Sequence, residues 1–187
     1  PNLVIIFSGI NEAHWGWNFK NTLWFRSYAD NHFWKIINAA YNAAGFESFE
    51  NPIADETTLL SPESLSNILK KNVGLGCHAL SQTQAKHFYI FQPSIPLTKK
   101  FLTQREKEIL SGWHSAQIDY FREYHKLAVV KLKTLEKLHE NFRFFNLTEV
   151  FDEIPENADI FLDSTHFGDK GYDIISKKIM ELIRTEI

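Results

Sequence analysis

Leu3-Val4-Ile5-Ile6-Phe7 is a continuous apolar run, rich in β-branched residues, that stops at Ser8-Gly9. A short run with no polar alternation predicts a strand covered on both faces, as in a parallel sheet. His87 to Phe91 repeats the pattern and ends in Gln92-Pro93-Ser94-Ile95-Pro96, where two prolines remove backbone donors. Arg143 to Leu147 supplies a third strand. Between the second and third, Thr103 to Glu140 has helical spacing, with Tyr124, Ala128, Leu132, Leu135 and Leu138 at steps of three or four and an interruption near Gly112. Lys170 to Arg184 predicts a closing amphipathic helix, and Phe151 to Phe161, with Pro155, a loop.

Earlier in the chain, a helix is expected from Asp30 to Ala44, stopped by Gly45. Glu47 to Thr58, with Pro52, predicts an irregular stretch. Ser61-Pro62-Glu63-Ser64 predicts a cap leading into a short helix through Lys71, which Gly74 and Gly76 would end. Strands alternating with helices indicate an α/β fold, with a parallel sheet between helical layers. Three strands are fewer than the roughly five or six of a doubly wound domain. The expected sheet is therefore incomplete on its N-terminal side, by a strand and a crossover helix.

At 187 residues and 44% hydrophobic, the chain is expected to form one domain over 1–187. Its 20 Lys and Arg against 23 Asp and Glu give a net charge of -3, which argues against nucleic acid or an anionic membrane as partner. No apolar run approaches the length of a membrane span. Cys77 is the only cysteine, so no internal disulfide forms, and no Cys/His spacing suggests a zinc site. The chain opens on Pro1 and its only methionine is Met180, so a preceding segment of the same polypeptide is expected.

Phe161-Leu162-Asp163-Ser164-Thr165-His166 places an acid three residues before a histidine, just ahead of a helix. In a turn, that spacing lets the Asp163 carboxylate reach the Nδ1 hydrogen of His166, which fixes the tautomer and stabilises an imidazolium when Nε2 takes a proton. The plainer alternative is a loop in which Asp163 caps the helix or bonds its own backbone. Gly9-Ile10-Asn11-Glu12 sits where the first strand ends, the place open α/β sheets put ligands. There Gly9 lets the backbone turn tightly, and the Asn11 amide is a neutral donor for an oxygen gaining negative charge.

Together these residues resemble the SGNH, or GDSL-type, hydrolase family. Gly9-Ile10-Asn11-Glu12 resembles its Gly-x-Asn-Asp block, with Glu12 in place of Asp, and Asp163-Ser164-Thr165-His166 resembles its Asp-x-x-His block. The order of strands and helices is similar over residues 1–11 and 86–187. Residues 12–85 have no counterpart and are expected to be an aromatic-rich insertion or cap. The resemblance implies a three-layer α/β/α, flavodoxin-like fold. It implies a serine esterase or O-acyltransferase acting on an acyl or acetyl ester of a small molecule or glycan, with no metal or organic cofactor. By it, His166 is the general base, Asp163 its orienting acid, Asn11 an oxyanion donor and Gly9 the shaper of its loop. No Gly-Asp-Ser occurs in these residues, which places the nucleophilic serine upstream and leaves this chain alone inactive. The alternative is a non-catalytic carbohydrate-binding or assembly module on a degenerate form of the fold.

Several further residues have plainer readings. Ser8 and Ser164 adjoin the proposed site but are poorly placed to replace the nucleophile. Trp15, Trp17, Trp24, Phe25, Phe33, Trp34 and Tyr41 suit either a substrate-binding cap or the small core of a helical lobe. Lys99-Lys100 are expected to be solvated, and the plainer alternative for Glu12 is a solvated loop carboxylate. The histidines other than His166 show no ligand spacing, and Asn146-Leu147-Thr148 matches a glycosylation sequon of a frequent kind.

Overall fold

The structure is a computed structural model describing residues 2–17, 35–47, 60–83, 85–155 and 157–186. The expected aromatics Trp24, Phe25, Phe33 and Trp34, the start of the helix expected from Asp30, and the 48–58 stretch with Pro52 lie outside the described residues.

Three parallel strands, β1 (Leu3–Ser8), β2 (Lys86–Phe91) and β3 (Phe142–Asn146), form a sheet in the order β1-β2-β3. The register sets Ile6 beside Tyr89 and Tyr89 beside Phe144. Alternation along the strands then divides the side chains between two faces. Tyr89, Phe91, Phe142 and Phe144 pack with α1 (Asn11–Trp17), α2 (Pro62–Ser81) and α4 (Ser115–Glu136) into the larger core. Phe7 points the other way, into a second core shared with Ile174, Ile175 and Ile179 of α5 (Asp169–Glu186). The result is a three-layer α/β/α arrangement around a small parallel sheet.

The central strand β2 is buried on both faces, as its unbroken apolar run requires. β1 is not: Ile5 is 39% exposed and Ile6 36%. The same composition has two outcomes because β1 is an edge strand, paired only with β2 among the described residues.

Parallel β1 and β2 need a crossover connection, and α2 provides it. This helix lies within the 12–85 segment. Ser61 caps it, accepting from Ser64 N–H at 3.1 Å, with Pro62 in its first turn. Gly74 and Gly76 do not end it, contrary to expectation: the helix continues to Ser81. Leu65, Leu69, Val73 and Cys77 fall at four-residue steps and bury a continuous stripe in the larger core, which outweighs roughly 1 kcal/mol of helix propensity lost at each glycine. Residues 35–43 are helical, and Gly45 follows with φ 80°, the left-handed stop expected of it.

The long helical stretch is broken into α3 (Gln104–Ser111) and α4, with Gly112 ending the first. Tyr124, Ala128, Leu132 and Leu135 are buried as expected, but Leu138 is 67% exposed, because α4 ends at Glu136 and Leu138 leaves its face.

β1 ends where Gly9 turns the chain at φ 109°. A Cβ at Gly9 would lie 2.7 Å from Cε2 of the Phe91 ring. Conformation and space both demand glycine there, so Gly9→Ala is expected to lose about 2–4 kcal/mol of stability. Urea unfolding measures it: the midpoint should fall with the slope unchanged, and a loss below about 0.5 kcal/mol would show that the turn relaxes freely.

Candidate functional site

The Asp163–His166 loop is a tight excursion between two buried anchors. Phe161 and Phe167 face each other across an isolated antiparallel bridge, and both lie in the second core. Leu162 N–H donates to His166 O at 2.8 Å, and Gly168 N–H to Ile160 O at 2.8 Å, closing the loop at its base. At the tip, Asp163 Oδ1 accepts the backbone N–H groups of Thr165 and His166, each at 2.8 Å. Its other oxygen, Oδ2, lies 2.7 Å from His166 Nδ1. The plainer alternative of Asp163 bonding its own loop backbone is thus true of one oxygen, and the acid-histidine contact of the other. One carboxylate builds the turn and orients the ring at once.

Burial alone would raise the Asp163 carboxyl. The backbone N–H of Thr165, the His166 side chain and the backbone N–H of His166 outweigh it and bring it down to about 2. An ionised carboxylate only accepts, so the shared hydrogen resides on His166 Nδ1 and leaves Nε2 as the basic nitrogen. The side chains are 67% and 55% exposed, and Nε2 makes no hydrogen bond among the described residues. No described serine reaches it.

The loop is tied to the rest of the fold through its carbonyls. Gln92 Nε2 donates to Thr165 O at 2.9 Å, Ile95 N–H to Ser164 O at 3.0 Å, and Arg105 Nη2 to Leu162 O at 3.3 Å. Gln92 also donates its backbone N–H to Ser8 O at 2.9 Å, so one residue links the end of β1 to the histidine loop. This link brings Gly9 and Asn11 to the same edge of the sheet as Asp163 and His166. Asn11 opens α1 and is exposed. Ser8 has its hydroxyl near the Tyr89 phenol.

Two residues of this region escaped the sequence reading. His14, on α1, stands edge-on to Trp113 and Phe121, with ring centroids 5.3 and 4.9 Å apart. Burial lowers its pKa, the Asp163 carboxylate raises it and His166 lowers it, which places His14 within electrostatic reach of both. Its spacing three residues after Asn11 on a helix was the available signal. Glu12, in its plainer reading a solvated loop carboxylate, has its Oε2 shut off from solvent. The reason is that Glu12 lies in the first turn of α1, next to the buried Ala13, rather than in a loop.

Lys100 is also corrected: instead of lying solvated beside exposed Lys99, it is buried with Glu106 at 2.7 Å, and both side chains are fully inaccessible. Glu106 closes the capping box of α3 with Thr103, and its Oε1 accepts the N–H groups of Ile160 and Phe161 at 2.8 and 3.1 Å. It thus holds the segment leading into Asp163. Burial would raise the Glu106 carboxyl, but Lys100 and the Ile160, Thr103 and Phe161 amides outweigh it and lower it.

Glu106→Ala strands a buried ammonium and is expected to cost about 3–5 kcal/mol. Replacing both partners, Lys100→Met with Glu106→Leu, should recover the charge part but not the part due to the amides. Equal losses in the single and double variants in chemical denaturation would refute a charge penalty. The depressed Glu106 and Asp163 carboxyls contribute stability that is present above their ordinary values, 4.5 and 3.8, and lost as pH falls through the lowered ones. Asp163→Asn should therefore lose less stability than the native chain between pH 3.8 and about 2; matching pH-melting curves would refute it.

No group of three or more His, Cys, Asp or Glu suited to a metal ion occurs among the described residues. No helix among them is long and apolar enough to cross a membrane. The chain matches no family model, no curated protein and no solved structure.

Proposed function

We propose that the chain is part of an SGNH-type ester hydrolase or O-acyltransferase, with His166 as general base, Asp163 as its orienting acid, Asn11 as oxyanion donor and Gly9 shaping the Asn11 loop. The observation that carries this reading is the 2.7 Å contact from Asp163 Oδ2 to His166 Nδ1, with the His166 side chain exposed and its Nε2 unbonded among the described residues. Its place supports the reading too, since the loop is tied to the β1 edge through Gln92.

A serine hydroxyl supplied from outside these residues is the nucleophile. As its oxygen attacks the ester carbonyl, the proton passes to His166 Nε2, and Asp163 stabilises the imidazolium. The carbonyl oxygen becomes an oxyanion, which the Asn11 side-chain NH2 meets. When the tetrahedral intermediate collapses, His166 returns the proton to the leaving alkoxide. Water, or a sugar hydroxyl in the transferase case, then attacks the acyl carbonyl while giving its proton to the same nitrogen, and as the bond to the serine oxygen breaks His166 returns that proton to the serine, leaving the acyl group on the new oxygen. The substrate class is an acyl or acetyl ester of a small molecule or glycan.

The test is fluorophosphonate labelling of the source protein together with ester turnover. Labelling of a single serine, lost turnover in a folded His166→Ala variant, and a kcat about a hundredfold or more lower in Asn11→Ala are the expected results. No labelled serine, or undiminished turnover in His166→Ala, would refute the reading; glycan binding without turnover would favour a non-catalytic carbohydrate-binding module.

A further inference from the structure

The Glu12 carboxyl follows Asn11 directly and has no part in the reaction above. Its Oε2 is buried and without a hydrogen-bond partner among the described residues, and the same holds for Tyr124 Oη on α4; Tyr89 Oη, at the centre of the sheet, is buried with the Ser8 hydroxyl beside it. The three groups lie within electrostatic reach of one another: Glu12 makes ionisation of both phenols less favourable, and Tyr89 does so for Tyr124. Around them the core is apolar, with Ile10, Ala13, Leu65, Phe91 and Phe121 in the same cluster.

Buried polar atoms in folded proteins are nearly always paired, so two unpaired oxygens beside a third buried hydroxyl call for a common explanation. A carboxylate and two phenols offer two donor hydrogens between them, and a carboxylic acid adds a third. With Glu12 neutral, each group has a hydrogen to give and an oxygen to receive one, through a bridging water where the gap is too wide for direct contact. With Glu12 ionised, an anion would stand in an apolar core with no cation beside it among the described residues.

Among the described residues, no neighbouring element supplies that cation. β2 presents Tyr89, α4 presents Tyr124 and Tyr120, and Ser8 of β1 lies by Tyr89. α2 presents Leu65, Leu69, Val73 and Cys77 to this core, and His14 of α1 itself packs on Trp113 and Phe121. Burial raises the Glu12 carboxyl above its ordinary 4.5, against the pull of its own backbone N–H and that of Gly9. Those two amides belong to the turn that carries Asn11.

We propose that Glu12 is a positioning residue that works as a neutral acid: anchored in the Glu12–Tyr89–Tyr124 pocket, its carboxyl holds the Gly9–Asn11 turn and so aims the Asn11 amide. That Asn11 meets an oxyanion rests on the function proposed above. The protonation of Glu12 and its grip on the turn do not, and they are testable on the resting full chain.

Infrared spectra of the chain carrying 13C-labelled glutamate, compared with Glu12→Gln, report the acid directly. A protonated carboxyl band that persists well above pH 4.5, where ordinary glutamates have ionised, and that is absent from Glu12→Gln, is expected. Because the folded value lies above the unfolded one, native stability should decline as pH rises from 4.5 through the raised value, and Glu12→Gln should remove that decline. Hydrogen exchange at the Gly9 amide reads the grip: Glu12→Ala should speed it roughly threefold to tenfold, and Glu12→Gln should restore the native rate. If Glu12→Ala fails to fold, the band, the pH profile and the Gln comparison still decide. A band lost with the ordinary glutamates at about pH 4.5, or native exchange at Gly9 in Glu12→Ala, overturns the proposal. Either result alongside a labelled serine and ester turnover would leave the proposed function standing, whereas the band without any reactive serine would remove the function and keep Glu12.

Discussion

The fold around the candidate site depends on one buried carboxylate. Glu106 receives Lys100 Nζ and Thr103 N–H on one oxygen and the N–H groups of Ile160 and Phe161 on the other. Lys100 Nζ also donates to Phe101 O at 2.9 Å. A full charge in the interior is tolerable only when its lone pairs are satisfied, and here backbone amides complete what the ammonium begins. The interaction therefore does more than join two side chains. It fixes the start of α3, the segment after β2 and the approach to Asp163 against one another, so the loop bearing the dyad leaves a rigid base.

From that base, the parallel topology governs the rest. Parallel neighbours put every strand's carboxyl end on one edge, so Gly9, Gln92 and Leu147 start their loops together, and Leu147 N–H donates to Phe91 O there at 3.1 Å. Gln92 can then serve both sides of the site, its amide N–H on Ser8 and its side chain on Thr165. With Ile95 and Arg105 holding further carbonyls, the backbone from Leu162 to Thr165 is held on several sides while the His166 ring stays open to solvent. Such an arrangement lowers the ordering cost of any partner that comes to Nε2, because the orientation of the base is settled beforehand.

How much of this could be read from the sequence follows from how local each feature is. The Asp163–His166 pair was legible because three residues of turn determine it. β2 and β3, the break at Gly112 and the cap at Ser61 were legible for the same reason. The reach of α2 past Gly74 and Gly76 was not, since burial of Leu69, Val73 and Cys77 against other elements decides it. Neither was the exposure of Ile5 and Ile6, which reflects an edge position that composition does not encode. Lys100 and Glu12 reversed their expected settings because charged residues are solvated by default, and only the assembled fold shows a partner for one and an apolar enclosure for the other.

Those two reversed residues also differ in kind, and the difference bears on what each contributes. Glu106 and Lys100 answer each other, so the pair keeps its charges and its carboxyl stays low. Glu12 has two amide neighbours and no cation among the described residues, so burial prevails and its carboxyl rises. One buried acid thus clamps the loop of Asp163 and His166 as an anion, while the other adjoins the turn of Asn11 as the group most readily neutralised. The two halves of the candidate site consequently respond oppositely to pH: acid loosens the Glu106 clamp, and base strains the Glu12 enclosure. The window in which both halves are held lies above the lowered Glu106 value and below the raised Glu12 value.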